Sequence, residues 1–300
     1  MGATLRERRV VPPAQIADRP ERPCIPDRGV TRRVRTPWYA RLLAPCARGA
    51  VALWTLALLM RGALGSLGGP GDTMPASKEA LLGRTVKVRV PAGQVSAVID
   101  GPKTATDLLF LAPGAGAGIH SDFMSFVSDV LSGGGLKVCR FNFPYLDAGR
   151  KSPDRQPVLE ETYAAVVRAK GADHSGPIFV GGKSMGGRIA SHVVAEGLEV
   201  DGLAFFGYPL HPPGRPERLR DKHLYKIEAP MLFIEGTRDP FCPLATLNKV
   251  RADLPGPNEV AVIDDGDHSF KVRKSSGRST EDAWLELCHA VLEWIPRARA

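Results

Sequence analysis

The stretch that most constrains the fold runs from Pro177 to Gly197. Ile178-Phe179-Val180 reads as a short buried strand, Gly181-Gly182-Lys183-Ser184-Met185-Gly186-Gly187 as a sharp turn, and Arg188 to Gly197 as a helix. A serine held where a strand doubles back into a helix needs small residues two positions before and after it, and Gly182 and Gly186 supply them. The helix carries Ala190, Val193 and Val194 on one apolar face and would aim its N-terminal dipole and free N–H groups at Ser184. Two glycines and a serine at this spacing also arise by chance, so the flanking strand and helix carry the inference. Gly182-Lys183-Ser184 ends like a phosphate-binding loop, but that motif requires glycine where Pro177 stands and a loop where Ile178-Phe179-Val180 forms a strand.

Strand and helix patterns alternate on both sides of this element. Val86, Val88 and Val90 alternate as in a strand, and Val95 to Ile99 follow as its antiparallel edge partner. Further strands are expected at Asp107 to Leu111, Leu136 to Phe143, Gly202 to Phe206, Met231 to Glu235 and Val260 to Ile263. Helices are expected at Asp122 to Leu131, with Ser121 as N-cap, and at Val158 to Lys170; Thr280 is expected to cap a closing amphipathic helix. The alternation predicts an α/β fold: a mostly parallel sheet covered by helices on both faces, with no large inserted cap.

Charge divides the chain in two. Residues 1–73 hold twelve arginines, no lysine and five acidic residues, whereas residues 74–300 hold 28 basic and 27 acidic ones. The basic balance therefore belongs to an Arg- and Pro-rich segment that reads as disordered, and no nucleic-acid partner is expected for the folded domain at 74–300. The apolar run Gly49 to Met60 has twelve residues where a membrane span needs about twenty, so membrane contact through 49–60 is a secondary alternative. Two readings of 1–73 stay open, a functional tail or upstream sequence preceding a start at Met74. Cys24, Cys46, Cys139, Cys242 and Cys288 show neither disulfide nor zinc spacing, which points to a reducing, cytoplasmic compartment.

Candidate chemistry follows the strands in order. After the third strand, Pro113-Gly114-Ala115-Gly116-Ala117-Gly118 lacks the spacing of a dinucleotide fingerprint; its small residues let the N–H of Ala115 point at the same place as that of Met185, an oxyanion hole. Asp239, after the seventh strand, is either a helix cap before Pro240 or the acid of a triad. His268, just beyond the last strand, completes the chain order serine, acid, histidine. Asp264, Asp265 and Asp267 lie nearer to His268 in sequence but are expected to shape its turn. Tyr145, Arg150 and His211 are candidate substrate contacts, and the chemistry requires no metal and no cofactor.

With these residues in hand, the chain resembles the α/β-hydrolase superfamily. Arg140 to Tyr145, Gly149-Arg150, Gly181 to Arg188, Gly207 to Gly214 and Asp267 to Phe270 are similar to its small cap-less, dienelactone-hydrolase-like branch, which includes a testis-expressed hydrolase-like protein and a subunit of the nonspecific-lethal chromatin complex. The resemblance covers about Leu82 to Ile295. It implies a triad of Ser184, Asp239 and His268 and a serine hydrolase acting on a small-molecule ester, lactone or thioester. Dienelactone hydrolases proper use cysteine as the nucleophile, so serine argues against their specific substrate. The alternative is a non-catalytic scaffold that keeps the fold.

Overall fold

The computed structural model describes Gly83 and residues 85–299. The expected tail at 1–73, its apolar run, Cys24 and Cys46 lie outside the described residues.

Eight strands form one sheet. They are β1 (Thr85–Val90), β2 (Gly93–Asp100), β3 (Leu108–Ala112), β4 (Lys137–Phe141), β5 (Ile178–Lys183), β6 (Gly202–Phe206), β7 (Met231–Gly236) and β8 (Asn258–Ile263). Their order across the sheet is β1-β2-β4-β3-β5-β6-β7-β8. The β1–β2 hairpin is antiparallel at one edge, β2 meets β4 antiparallel, and every later pairing is parallel. Helices α1 (Asp122–Gly133), α2 (Pro144–Asp147), α3 (Gln156–Gly171), α4 (Met185–Ala195), α5 (Leu244–Ala252) and α6 (Thr280–Ala298) occupy the crossovers and the end of the chain.

Side-chain alternation explains why the central strands carry no polar face. On β3, Leu108, Phe110 and Ala112 enter one core with Tyr163, Ile189 and Phe205, while Leu109 and Leu111 enter the other with Met124, Leu287 and Trp294. Successive side chains of a strand point to opposite faces, so a strand covered by helices on both sides must be apolar throughout. Helices α3 and α4 cover the first face, α1 and α6 the second.

Local chemistry departs from expectation in three places. The closing helix is capped by Ser279, not Thr280: the Ser279 hydroxyl accepts the Asp282 N–H at 3.0 Å and the Asp282 carboxylate accepts the Ser279 N–H at 2.8 Å, a capping box. Ser121 stands at the N-cap of α1, but its hydroxyl makes no capping bond. Helix α5 was not expected; it buries only Leu247 and Val250, too weak an apolar stripe to stand out among Asn248, Lys249 and Arg251.

One polar network lies deep in the molecule. Arg140 of β4, 2% exposed, donates through Nε to Asp100 at 2.9 Å and through Nη1 to the Ile119 carbonyl at 2.7 Å and Ser125 Oγ at 2.9 Å. Ser128 Oγ donates to the same Asp100 carboxylate at 2.6 Å. The ion pair thus joins β2, β4, α1 and the loop before α1, and the further hydrogen bonds from Arg140 Nη1 and to Asp100 offset the cost of burying it.

Candidate active site

Strand β5 ends at Lys183, and the next residue, Ser184, takes φ 50° and ψ −112°. A non-glycine residue in that region costs on the order of 1–3 kcal/mol and persists only when its surroundings fix it. Here the Ser184 N–H donates to the Phe206 carbonyl at 3.0 Å, and the Ser184 carbonyl accepts the Arg188 N–H at 3.1 Å. The glycines make the turn sterically possible. A Cβ on Gly182 would lie 2.4 Å from the Ala112 carbonyl oxygen, and one on Gly186 2.2 Å from the same atom.

Three side chains meet at the carboxyl ends of β5, β7 and β8. Ser184 Oγ is 2.8 Å from His268 Nε2, and His268 Nδ1 is 2.6 Å from Asp239 Oδ2. The second Asp239 oxygen accepts the Phe241 N–H at 2.8 Å, so both oxygens are engaged in a residue only 5% exposed. A carboxylate facing Nδ1 puts the proton there and leaves Nε2 to accept from the serine hydroxyl. The Phe241 ring meets the imidazole edge-on, 4.6 Å between centroids. The acids closer in sequence have other partners. Asp265 accepts from the Arg273 N–H and Nε, both at 2.7 Å, and these bonds hold its carboxyl down at about 2. Asp267 accepts the Ser269 and Lys271 N–H groups at 2.8 and 2.9 Å.

Two ionisable neighbours were not found from sequence. Lys183, directly before Ser184, donates through Nζ to the His268 carbonyl at 2.5 Å and lies 5.3 Å above the Phe270 ring. Burial lowers its pKa to about 8, against the pull of Asp239, Glu235 and Asp267. Gly207, at φ 70°, leaves the space the ammonium occupies: a Cβ there would lie 2.9 Å from Nζ. Glu235, wholly buried at the end of β7, accepts the Tyr208 N–H at 2.6 Å, and burial raises its pKa well above the ordinary carboxylate range. The available signal was a lysine and a glutamate ending otherwise apolar strands.

A cavity of about 340 Å³ opens above Ser184 and His268, and Ala115, Met185 and His211 line it. Met185 is the first residue of α4, where a helix N–H has no intrahelical partner, and the Ala115 N–H makes no hydrogen bond among the described residues. The other two candidate contacts lie elsewhere. Tyr145 is fully buried behind the glycine loop, where its hydroxyl accepts the Gly116 N–H at 3.1 Å, so it supports the loop from beneath and does not line the cavity. Arg150 does not line it either: its Nη2 donates to Asp154 at 2.5 Å, and Asp154 in turn accepts the Tyr145 N–H at 2.9 Å. His211 is 5% exposed; its Nδ1 donates to the Pro212 carbonyl at 2.9 Å, and its Nε2 has no partner among the described residues. Among the described residues no group of three or more His, Cys, Asp or Glu side chains could hold a metal ion, and no helix is long and apolar enough to cross a membrane.

Solved structures share this architecture. A serine hydrolase without lid from Xanthomonas campestris is 18% identical, with a TM-score of 0.57 over 75% of this chain and 98% of that one. A dienelactone hydrolase from Anabaena variabilis is 20% identical, with a TM-score of 0.58 over 72% and 98%. Est1E from Butyrivibrio proteoclasticus, in a structure with ferulic acid bound, is 17% identical, with a TM-score of 0.55 over 70% and 99%. Identities this low speak to the fold. The family model described as "Alpha/beta hydrolase domain" matches residues 105–296, more than half of the chain and every residue of the Ser184, His268 and Asp239 cluster, and the protein belongs to that family.

Proposed function

We propose that the protein is a serine hydrolase that works through an acyl-enzyme on an ester, lactone or thioester of a small molecule. The observation that carries this reading is the unbroken hydrogen-bond chain from Ser184 Oγ through His268 to a buried Asp239, attached to a serine held at positive φ. His268 Nε2 takes the Ser184 proton as Oγ attacks the carbonyl carbon, and Asp239 stabilises the imidazolium and fixes the ring's orientation. The N–H groups of Met185 and Ala115 receive the oxyanion. The imidazolium returns its proton to the leaving group; water, activated by the same ring, then releases the acid and regenerates Ser184. Within the family, the motifs quoted above support a place in the cap-less, dienelactone-hydrolase-like branch. The test is labelling with a fluorophosphonate, which modifies activated serines. Wild type is expected to be labelled and Ser184→Ala not, with label mapped to the Ser184 peptide; an unlabelled wild type refutes the proposal.

A further inference from the structure

The cavity carries more positive charge than the proposed reaction needs. Arg188, in the first turn of α4, and Arg220, in the connection between β6 and β7, both line it. The Arg188 Nη1 is 3.2 Å from Gln156 Oε1 and 3.2 Å from His192 Nε2, both uncharged partners, because burial and Arg188 itself hold His192 down at about 4. The Arg220 guanidinium makes no hydrogen bond or ion pair among the described residues; its backbone alone is tied, N–H to Leu210 and carbonyl to Tyr208. Burial lowers the pKa of each arginine, and for Arg220 repulsion from Arg188 comes next.

The neighbouring carboxylates are occupied elsewhere. Asp154, at the cavity wall, is held by Arg150 and the Tyr145 N–H. Glu160 accepts from Gln156 at 2.7 Å and lies 3.4 Å from His192. Glu160 offsets part of the charge on Arg188 but pairs with neither guanidinium, and two like charges partly withdrawn from water are unfavourable; an anion between them relieves both the desolvation and the repulsion. A second observation points the same way to a ligand. His211 Nε2, in the same cavity, is a buried polar atom with no partner among the described residues, and with Nδ1 donating to Pro212 it stands as an acceptor.

We propose that the cavity takes an acyl substrate bearing an anionic group, which Arg188 and Arg220 hold while its carbonyl lies at Ser184, and that His211 Nε2 accepts a hydroxyl or N–H of the same molecule. This rests on Ser184 being the nucleophile. It names the substrate class, a carboxylated or phosphorylated ester, lactone or thioester, that the reaction alone leaves open.

The test compares esters with one leaving group: 4-nitrophenyl hexanoate and the 4-nitrophenyl monoester of adipic acid, which differ at the far end of the acyl chain by a carboxylate. Wild type is expected to favour the monoester in kcat/KM by about 10- to 100-fold, the range for a charge-assisted hydrogen bond. Arg220→Gln is expected to lower that ratio about tenfold, chiefly through KM, and Arg220→Lys to restore part of it. The Arg220 variants are expected to keep their fold, because the guanidinium makes no hydrogen bond or ion pair among the described residues, and a melting curve checks this. Competitive inhibition by free adipate against inorganic phosphate, at constant ionic strength, tells a carboxylate site from a phosphate site. A wild-type ratio at or below one, or a ratio unchanged in both Arg220→Gln and Arg188→Gln, overturns the inference while leaving the hydrolase reading intact. If no ester is turned over and no serine is labelled, the hydrolase reading fails instead, and calorimetric binding of adipate to wild type and Arg220→Gln still decides the anion site: equal or absent binding overturns it.

Discussion

Acid is the perturbation whose effect can be worked most fully from the structure. His192 on α4 and His223 in the β6–β7 connection stack with centroids 3.8 Å apart and planes at 16°. His223 Nε2 meets Ser191 Oγ at 2.7 Å and Tyr208 OH at 3.0 Å. Burial first, then the neighbouring ring and Arg188, depress His223 to about 3; burial and then Arg188 depress His192 to about 4. Both folded values lie below the unfolded value of about 6.5, so the unfolded chain takes protons that the folded one refuses. Their contribution to stability is complete above about pH 6.5 and is lost as pH falls from there towards 4 and 3. Between pH 7 and pH 5 His223 alone accounts for ~2 kcal/mol of lost stability, and the partly exposed His192 for ~1 after solvent screening. Against a typical total of about 5–15 kcal/mol this is a large loss. Urea unfolding at pH 7, 6 and 5 measures it, in wild type and in His223→Gln. Glu235, with its raised pKa, acts in the opposite sense, but equally in both proteins; Asp265, held low, acts only below about pH 4. The difference between the two proteins therefore isolates His223. Wild type is expected to lose ~2 kcal/mol more than the variant. Equal losses would refute the claim that His223 is kept neutral by its surroundings.

Replacing Ser184 or His268 by alanine is expected to cut ester turnover by several powers of ten, on the order of 10⁴ or more, with the double variant losing little beyond either single one in steady-state kinetics. Asp239→Asn favours the wrong tautomer of His268 and is expected to lower kcat by about 10⁴, whereas Asp265→Asn, which loosens Arg273 and the turn carrying His268, is expected to lower the melting temperature with a far smaller effect on kcat; the reverse ranking would reassign the acid. Gly186→Ala drives a methyl to 2.2 Å from the Ala112 carbonyl, which cannot move without breaking the β3–β5 pairing, and is expected to cost about 3 kcal/mol or more by urea unfolding.

Much of this architecture was legible because its signals are local. Gly182 and Gly186 bracket Ser184 within five residues, and the strands preceding Asp239 and His268 are short apolar runs with polar residues just beyond them. Periodicity tells which segments are strands, and the chirality of parallel crossovers brings their carboxyl ends to one rim. What escaped depends on contacts between distant residues. Tyr145 sits among Asp147, Arg150 and Asp154 and so reads as a substrate contact, yet those charges pair with one another and with Lys87, and the ring is buried behind the glycine loop. Arg188 and Arg220 are 32 positions apart, and no pattern along the chain marks them as facing one cavity. Lys183 looks like part of a phosphate loop until the fold shows its ammonium on the His268 carbonyl.

The Arg140–Asp100 pair has a bearing on how turnover responds to temperature. Arg140 grips the Ile119 carbonyl, Asn142 Oδ1 accepts the Ile119 N–H at 3.0 Å, and Tyr145 holds Gly116, so the middle and the carboxyl end of the glycine loop are both anchored. A loop clamped in this way has its dipoles oriented once, when the chain folds, and little reorganisation remains for each catalytic cycle. Loosening a clamp that touches no ligand, as in Tyr145→Phe, returns that reorganisation to the barrier as activation entropy. Its signature is a steeper unfavourable −TΔS‡ in an Eyring plot while the melting curve hardly moves.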